Sequence, residues 1–192
     1  VGAYGDGIDF YDLKGRLEEV MDVLNVADHT VVPCKTNPSY HPGRTAEIKV
    51  GDRTVGLFGQ IHPTVVKNFD MAGEVYAAEL SLNDLYACVD TKKGYTPLPK
   101  FPAVTRDLAL VCDETVLSGE IEGLIRTVAG EILEDVRAFD VYRSAALGEN
   151  KKSIAYSLTL RDAQKTLTDA DIDPVVSRIL EALEEKNITL RK

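Results

Sequence analysis

The sequence predicts an α+β protein of two domains, because helical and strand periodicities are mixed on both sides of one Pro-rich seam. The seam, residues 90–101, holds Pro97 and Pro99 and is followed directly by Pro102. Proline fixes its own φ and biases the preceding residue away from helix, so this stretch is predicted to be an extended linker. The predicted domains are therefore residues 1–89 and 102–192.

The first domain opens with a predicted amphipathic helix and continues mainly as strands. Asp9 is placed to cap a helix whose apolar positions recur every three or four residues, at Phe10, Leu13, Leu17, Val20, Met21 and Leu24. Short strands are predicted at 31–32, 46–50, 54–61 and 75–80, the second and third of them joined as a hairpin. Pro63 opens a predicted short helix, and the capping-box pattern from Ser81 to Asp84 opens another.

The second domain shows the order β-α-β-β-α-β, with strands predicted at 104–112, 132–142, 152–161 and 188–190. A helix capped by Ser118 and ending near Gly130 follows the first strand, and a long helix precedes the last one. This order is the ferredoxin-like pattern, in which both helices cover one face of a four-stranded antiparallel sheet. The start of the long helix stays open, because Pro174 is unfavourable inside a helix. Either the helix begins at Asp173, or one tight turn precedes Pro174 and the axis kinks.

The composition is that of an ordinary globular protein, with 44% hydrophobic and 28% charged residues. No apolar run reaches the length of a membrane span, and Cys34, Cys88 and Cys112 are too widely spaced for a disulfide framework. We therefore expect a cytoplasmic protein with reduced thiols and no membrane partner. The formal net charge of −9 disfavours nonspecific nucleic-acid binding, although it can conceal a local basic patch. The chain begins at Val1 and not at Met, so a fragment of a longer protein is expected.

Candidate catalytic residues are few. Nucleotide-binding glycine motifs and the G-x-S-x-G elbow are absent from the sequence. His41 and His62 both precede prolines, which turn geometry explains without any function. A metal-dependent hydrolase would need them to converge with a carboxylate or Cys34, and it stays a third hypothesis. No catalytic residue and no metal ligand is predicted.

A binding surface is predicted on the second domain instead. On the strand 152–161, Ile154, Tyr156, Leu158 and Leu160 share one face, which predicts that Tyr156 lies in the core. Small polar side chains on the other face leave room for a flat ligand such as an RNA base. The candidate RNA-binding residues on and around that face are Lys100, Arg106, Phe139, Arg143, Lys151, Lys152, Ser157, Thr159 and Arg161. The apolar positions of 136–141 do not keep one parity, so a bulge near Phe139 is expected.

Several pieces of the chain resemble one family in order and spacing. The run from Tyr95 to Leu110 resembles the opening of the ferredoxin-fold anticodon-binding domain that ends the beta subunit of bacterial phenylalanyl-tRNA synthetase. Later pieces agree with the same domain, at 139–142, 151–156 and 166–169. Earlier pieces resemble the end of the catalytic-like module of that subunit, at 10–15, 41–46 and 59–63.

The resemblance implies a partial class II synthetase-like antiparallel α/β module at 1–89 and a ferredoxin-like βαββαβ sandwich at 102–192. It implies that the second domain binds the anticodon region of phenylalanine-specific tRNA. The whole enzyme would attach phenylalanine to tRNA with ATP and magnesium, as a heterotetramer of two alpha and two beta chains. The alpha subunit would hold the aminoacylation site, while this chain would be non-catalytic, hold no cofactor and serve as a subunit interface. A hypothesis from another class is a ferredoxin-like regulatory domain that binds a small metabolite.

Overall fold

A computed structural model describes residues 1–5, 7–26, 29–91 and 97–191. The chain divides into two compact units, Val1–Tyr95 and Thr96–Lys192. Residues 92–96 of the predicted linker lie outside the described residues. Within the described ranges, no helix is long and apolar enough to cross a membrane.

The first unit is a five-stranded antiparallel sheet with helices packed against it, which agrees with the predicted α+β class. Its elements are β1 (Gly2–Tyr4), α1 (Phe10–Val23), β2 (His29–Pro33), β3 (Tyr40–Val50), β4 (Arg53–Ile61), α2 (Pro63–Asn68), β5 (Val75–Leu80) and α3 (Leu82–Cys88). The strand order is β1-β5-β4-β3-β2. Strand β1 has only three residues, too few to show a period, and the sequence did not predict it.

Helix α1 begins where its capping residue predicts. The Asp9 carboxylate accepts the backbone N–H groups of Tyr11 and Asp12 at 2.7 and 3.0 Å, and the Asp12 carboxylate accepts the Asp9 N–H at 2.8 Å. The helix then packs its apolar stripe into the core of the first unit, with Leu13, Leu17 and Met21 buried. Val20 and Leu24 were predicted for that stripe but lie partly exposed at its margin.

The second unit has the ferredoxin-like fold that the sequence predicted. Its elements are β6 (Val104–Asp113), α4 (Ser118–Ala129), β7 (Leu133–Tyr142), β8 (Lys151–Leu160), α5 (Asp169–Glu184) and β9 (Thr189–Leu190). The four strands form an antiparallel sheet in the order β7-β8-β6-β9. Both helices bury their apolar stripes on the same face of this sheet, where they share one core with β6, β7 and β8.

The structure corrects one helix start of the second unit and decides between the two alternatives left open for the other. Ser118 was predicted as the cap of α4, but it is the first helical residue, and Leu117 occupies the cap position. The Ser118 hydroxyl donates to the Glu122 carboxylate at 2.8 Å instead of capping the helix. Helix α5 begins at Asp169, so a start at Asp173 is wrong. One helical turn precedes Pro174, which removes a single backbone donor from the helix.

That first turn of α5 is stabilised by a local network. The Asp171 carboxylate accepts the Thr168 backbone N–H at 3.0 Å and the Thr168 hydroxyl at 2.7 Å. It also accepts a hydrogen bond from the Lys165 ammonium group. Lys165 and Thr168 together hold the pKa of the Asp171 carboxyl well below its usual range.

Candidate nucleic-acid interface

The four-stranded sheet of the second unit has two different faces. On β8, Ile154, Tyr156 and Leu158 are buried against the helices. Ser157 and Thr159, on either side of Leu158 in the sequence, lie on the opposite face and are partly exposed. We call the face that carries Ser157 and Thr159 the open face, and the face under α4 and α5 the helix face.

The pairing of β8 with β6 and β7 shows which residues lie beside Ser157 and Thr159 on the open face. Paired residues of antiparallel strands point to the same side of a sheet, so each pair extends the open face by one position. The open-face rows, read from β7 through β8 to β6, are Tyr142–Ser153–Val111, Asp140–Ala155–Ala109, Arg137–Ser157–Asp107 and Asp135–Thr159–Thr105. The central positions therefore carry short side chains, which leave space for a planar group to lie on the sheet.

The predicted bulge in β7 is confirmed at Phe139. The register shifts between Ala138 and Asp140, so Phe139 has no partner on β8 and is 58% exposed at the sheet edge. The bulge also changes which residues face outward. Arg137 precedes the bulge and lies on the open face, and Tyr142 follows it with the opposite parity and lies on the same face.

Two of the predicted RNA-binding cations lie on the helix face. Arg106 shares its parity with the buried Leu108 and forms an ion pair with Asp169 at the start of α5. Lys152 pairs in register with the buried Cys112, is only 9% exposed, and donates to the Glu114 carbonyl at 2.9 Å. The structure therefore does not bring Arg106 or Lys152 to the open face.

Three further predicted cations are engaged by carboxylates at the rim. The Arg143 guanidinium donates to both oxygens of Glu114, with the shortest bond at 2.7 Å, and holds the pKa of that carboxyl below its usual range. The Lys151 ammonium lies 3.5 Å from Asp113. The Arg161 guanidinium lies 2.8 Å from Glu134 and also donates to the Phe101 carbonyl.

Lys100 is exposed, and it forms no ion pair within the part of the chain that the structure describes. The predicted set is thus scattered over the unit. Of its nine members, register places Ser157 and Thr159 in the central rows of the open face and Lys151, which pairs with Asp113, at the end of the same face.

The open face carries three functional candidates that the sequence-based set omitted, Arg137, Tyr142 and Arg191. Among the described residues, neither Arg137 nor Arg191 forms an ion pair. The Arg191 guanidinium carbon lies 5.6 Å from the centre of the Tyr142 ring. Alternation with Val136 could have revealed Arg137, but the two-residue strand before Arg191 contains no period to read.

Tyr156 lies in the core, as its parity predicted. It is fully buried, and its hydroxyl lies 3.0 Å from the Ser118 hydroxyl. Burial raises the pKa of Tyr156 to about 12, so this phenol stays neutral and structural.

The two histidines singled out in the first unit make local backbone contacts. The Nδ1 atom of His41 accepts the Gly43 N–H at 3.1 Å, and that of His62 accepts the Thr64 N–H at 3.2 Å at the start of α2. Among the described residues, no group of three or more His, Cys, Asp or Glu side chains is arranged to hold a metal ion. These contacts support the turn interpretation and give the metal-hydrolase hypothesis no geometric basis.

The first unit also contains an open cleft of about 500 Å³, lined by the end of β4, helix α2 and the loop that follows. The buried Gln60 accepts from the Arg44 guanidinium at 2.9 Å, and Arg44 donates to Glu74 at the same distance. The Tyr76 hydroxyl donates to the other Glu74 oxygen at 2.8 Å, and these two donors lower the pKa of Glu74. The network joins β3, the end of β4 and the start of β5 beside the cleft, and it pairs the Glu74 carboxylate with the Arg44 guanidinium.

Models of known protein families match both units of the chain. Residues 2–82 match the family model "Phenylalanyl tRNA synthetase beta chain CLM domain", and residues 99–191 match "Ferredoxin-fold anticodon binding domain". The chain belongs to the phenylalanyl-tRNA synthetase beta-chain family. The resemblance seen in the sequence is thereby confirmed for both halves.

Curated relatives of this beta-chain family agree. The chain is 44% identical over 184 residues to the phenylalanine–tRNA ligase beta subunit of Clostridium tetani, covering 96% of this chain and 23% of the relative. The Symbiobacterium thermophilum subunit is 42% identical, covering 95% of this chain and 20% of the relative. The Bacillus subtilis subunit is 40% identical, with coverage of 93% and 22%. The chain therefore spans less than a quarter of the length of these relatives.

Proposed function

We propose that this chain is the anticodon-binding and subunit-interface part of a phenylalanine–tRNA ligase beta chain. In the whole enzyme it would support the ATP- and magnesium-dependent attachment of phenylalanine to its tRNA without contributing catalytic residues. Its partners would be phenylalanine-specific tRNA and the alpha subunit, in a cytoplasmic heterotetramer of two alpha and two beta chains. Residues 1–89 would supply the interface module, residues 90–101 the linker and residues 102–192 the RNA-binding domain.

One observation carries the RNA part of this proposal, the composition of the open face. Short side chains occupy its centre, an aromatic ring lies at one end, and two arginines without ion-pair partners among the described residues lie on it. Sequence-specific RNA recognition usually targets unpaired loop bases, which stack on aromatic rings and hydrogen-bond through their edges. Tyr142 offers such a ring, Ser157 and Thr159 offer hydroxyls, and Arg137 and Arg191 can contact phosphates.

The carboxylates of the open face add selectivity to this arrangement. Asp107 and Asp140 lie directly beside the central small residues Ser157 and Ala155. A carboxylate repels a phosphate but accepts hydrogen bonds from the amino group of a base. The centre of the face therefore favours bases, and the arginines provide the positions for the backbone.

The interface part of the proposal is supported by exposed apolar side chains of the first unit. Tyr11 and Val23 on α1 are mostly exposed, and so are Leu82 and Tyr86 on α3. Large exposed apolar groups on a globular unit are typical of surfaces that another chain covers. These helices are where we place contacts with the rest of the synthetase.

RNA binding is tested directly with a labelled stem-loop that carries the anticodon loop of phenylalanine tRNA. Fluorescence anisotropy at several salt concentrations should show binding that weakens with salt. A stem-loop with the same stem and a permuted loop should bind at least tenfold more weakly, because the face reads bases. Equal binding of both RNAs, or no binding of either, would overturn the proposal.

The non-catalytic part of the proposal is tested by pyrophosphate exchange. The purified chain should show no phenylalanine-dependent exchange of pyrophosphate into ATP. Calorimetric titration with free amino acids should likewise show no heat of binding. Amino-acid binding together with an absence of RNA binding would favour the regulatory-domain hypothesis instead.

A further inference from the structure

Two long side chains cross the open face from its opposite edges. Tyr142 belongs to β7 at one edge, and Arg191 follows β9 at the other. The Arg191 backbone N–H donates to the Ala109 carbonyl at 2.7 Å, which fixes where its side chain leaves the sheet. The guanidinium carbon reaches 5.6 Å from the Tyr142 ring centre, so the two groups meet above the central strands.

The low exposure of Ser153 agrees with a contact between Arg191 and Tyr142 above it. Ser153 pairs in register with both Tyr142 and Val111, and so it lies on the open face. Its exposure is nevertheless only 2%, whereas Ser157 and Thr159 on the same face are partly exposed. The row of small residues is thus accessible at one end and covered at the end where Arg191 and Tyr142 meet.

Arg191 lies in an acidic unit but, within the part of the chain that the structure describes, is not one of the cations that a carboxylate neutralises. Residues 98–192 carry 13 Lys and Arg against 17 Asp and Glu, and many of these cations are held by a carboxylate. Arg191 forms no ion pair among the described residues, and its guanidinium group lies against the Tyr142 ring. Its charge is therefore available to an anion, and the cation–π contact that holds it is weak at an exposed site.

We propose that Arg191 covers the Tyr142 ring in the free chain and exchanges that contact for an RNA phosphate when a base stacks on the ring. This inference rests on the proposed function and assigns Arg191 two successive partners. Both a base and a guanidinium bind the face of an aromatic ring, so they compete for the same surface of Tyr142. The Arg191 backbone remains hydrogen-bonded to Ala109, so the displaced guanidinium stays within the length of its own side chain from that point.

The test uses the full chain and three substitutions. Arg191→Gln removes both the charge and the ring contact, and Arg191→Lys keeps the charge but loses the planar group that stacks. Arg178→Gln is the matched control, since it removes an exposed arginine from α5 on the helix side. Thermal unfolding of each variant should match the parent, because both positions are exposed at the surface.

The first readout is the ring signal of Tyr142 in the free protein, observed by NMR with fluorinated tyrosine and assigned with Tyr142→Phe. Arg191→Gln should shift this signal and Arg178→Gln should leave it unchanged. An unshifted signal in Arg191→Gln would overturn the proposed cover. This measurement contains no RNA, so its result does not depend on the proposed function.

The second readout is the salt dependence of binding to the anticodon stem-loop. Loss of one phosphate contact should make the slope of log K against log salt shallower by about 0.7–0.9 in Arg191→Gln. Arg191→Lys should keep the parental slope. At high salt, where the phosphate contact contributes little, Arg191→Gln should bind at least as tightly as the parent because the competitor for the ring is gone. A parental slope in Arg191→Gln would overturn the exchange, whereas a parent that binds no stem-loop would instead refute the proposed function.

Discussion

The helix face and the open face of the same four-stranded sheet follow different rules. On the helix face, every second residue of β8 is buried under α4 and α5, and the alternation is visible in the sequence. On the open face, the functional candidates come from three separate strands and are related by register alone. Burial of one sheet face produces an alternation of apolar and polar residues that is visible in the sequence of a single strand. A binding surface combines residues from several strands, so the sequence of one strand does not show it.

The same contrast separates two kinds of cation. Arg143 and Arg161 lie at the rim and are held by Glu114 and Glu134. Arg137 and Arg191 lie over the open face and form no ion pair among the described residues. The rim arginines are therefore neutralised by neighbouring carboxylates, whereas the two arginines of the open face keep their charge available to an anion.

The largest expected effect is the loss of stability caused by a substitution on the helix face. Leu158→Ala removes a fully buried side chain from the core of the second unit and should lower the free energy of unfolding by about 2–5 kcal/mol. Thr159→Ala, the next residue on the opposite face, should change it by less than about 0.5 kcal/mol. Urea unfolding of both variants measures the difference. Similar losses at the two positions would mean that the faces are not distinct.

The next effect concerns the open face. Tyr142→Ala should weaken binding of the anticodon stem-loop by about 1–3 kcal/mol, because a base loses its stacking partner. Tyr142→Phe keeps the ring and should bind like the parent. The unfolding midpoint of both should stay close to the parental value, since Tyr142 is 47% exposed. Parental affinity in Tyr142→Ala would remove this ring from the RNA site.

A smaller effect tests the first turn of α5, where the network at Asp171 offsets the missing donor of Pro174. Thr168→Ala removes the N-cap residue and should lower the free energy of unfolding by about 1 kcal/mol. Lys165 and then Thr168 hold the pKa of Asp171 below its ordinary value of 3.8. The stabilisation by this carboxylate is therefore fully present above that pH and is lost as the pH falls below it.

The contribution of the Asp171 carboxylate is measured by comparing the pH dependence of the unfolding free energy in Asp171→Asn and in the parent. The difference in unfolding free energy should be constant at neutral pH and should shrink as the pH falls below 3.8. Asp173→Asn, an exposed substitution in the same turn, serves as the control. A difference that grows on acidification would contradict the assigned direction of the pKa shift.

The fold was largely predictable from the sequence because burial imposes its pattern. The order of the second unit, the core position of Tyr156 and the bulge at Phe139 all follow from parity. The face proposed to bind RNA was only partly predictable. Lys152 was chosen by residue type, but its parity with Ile154 already placed it on the helix face. The position of Arg191 on the open face depends on the register of the two-residue strand β9, and two residues are too few to show a period in the sequence.

The smallest expected effect compares one cation from each face. Arg137→Gln removes an exposed guanidinium of the open face, and the slope of log K against log salt for the stem-loop should become shallower by about 0.7–0.9. Lys152→Met removes a cation whose ammonium group donates to the Glu114 carbonyl inside the unit, so the slope should stay parental. A shallower slope in Lys152→Met with a parental slope in Arg137→Gln would place the RNA on the helix side of the rim. The two slopes thus test whether the RNA contacts follow the open face defined by register or the basic residues chosen by type.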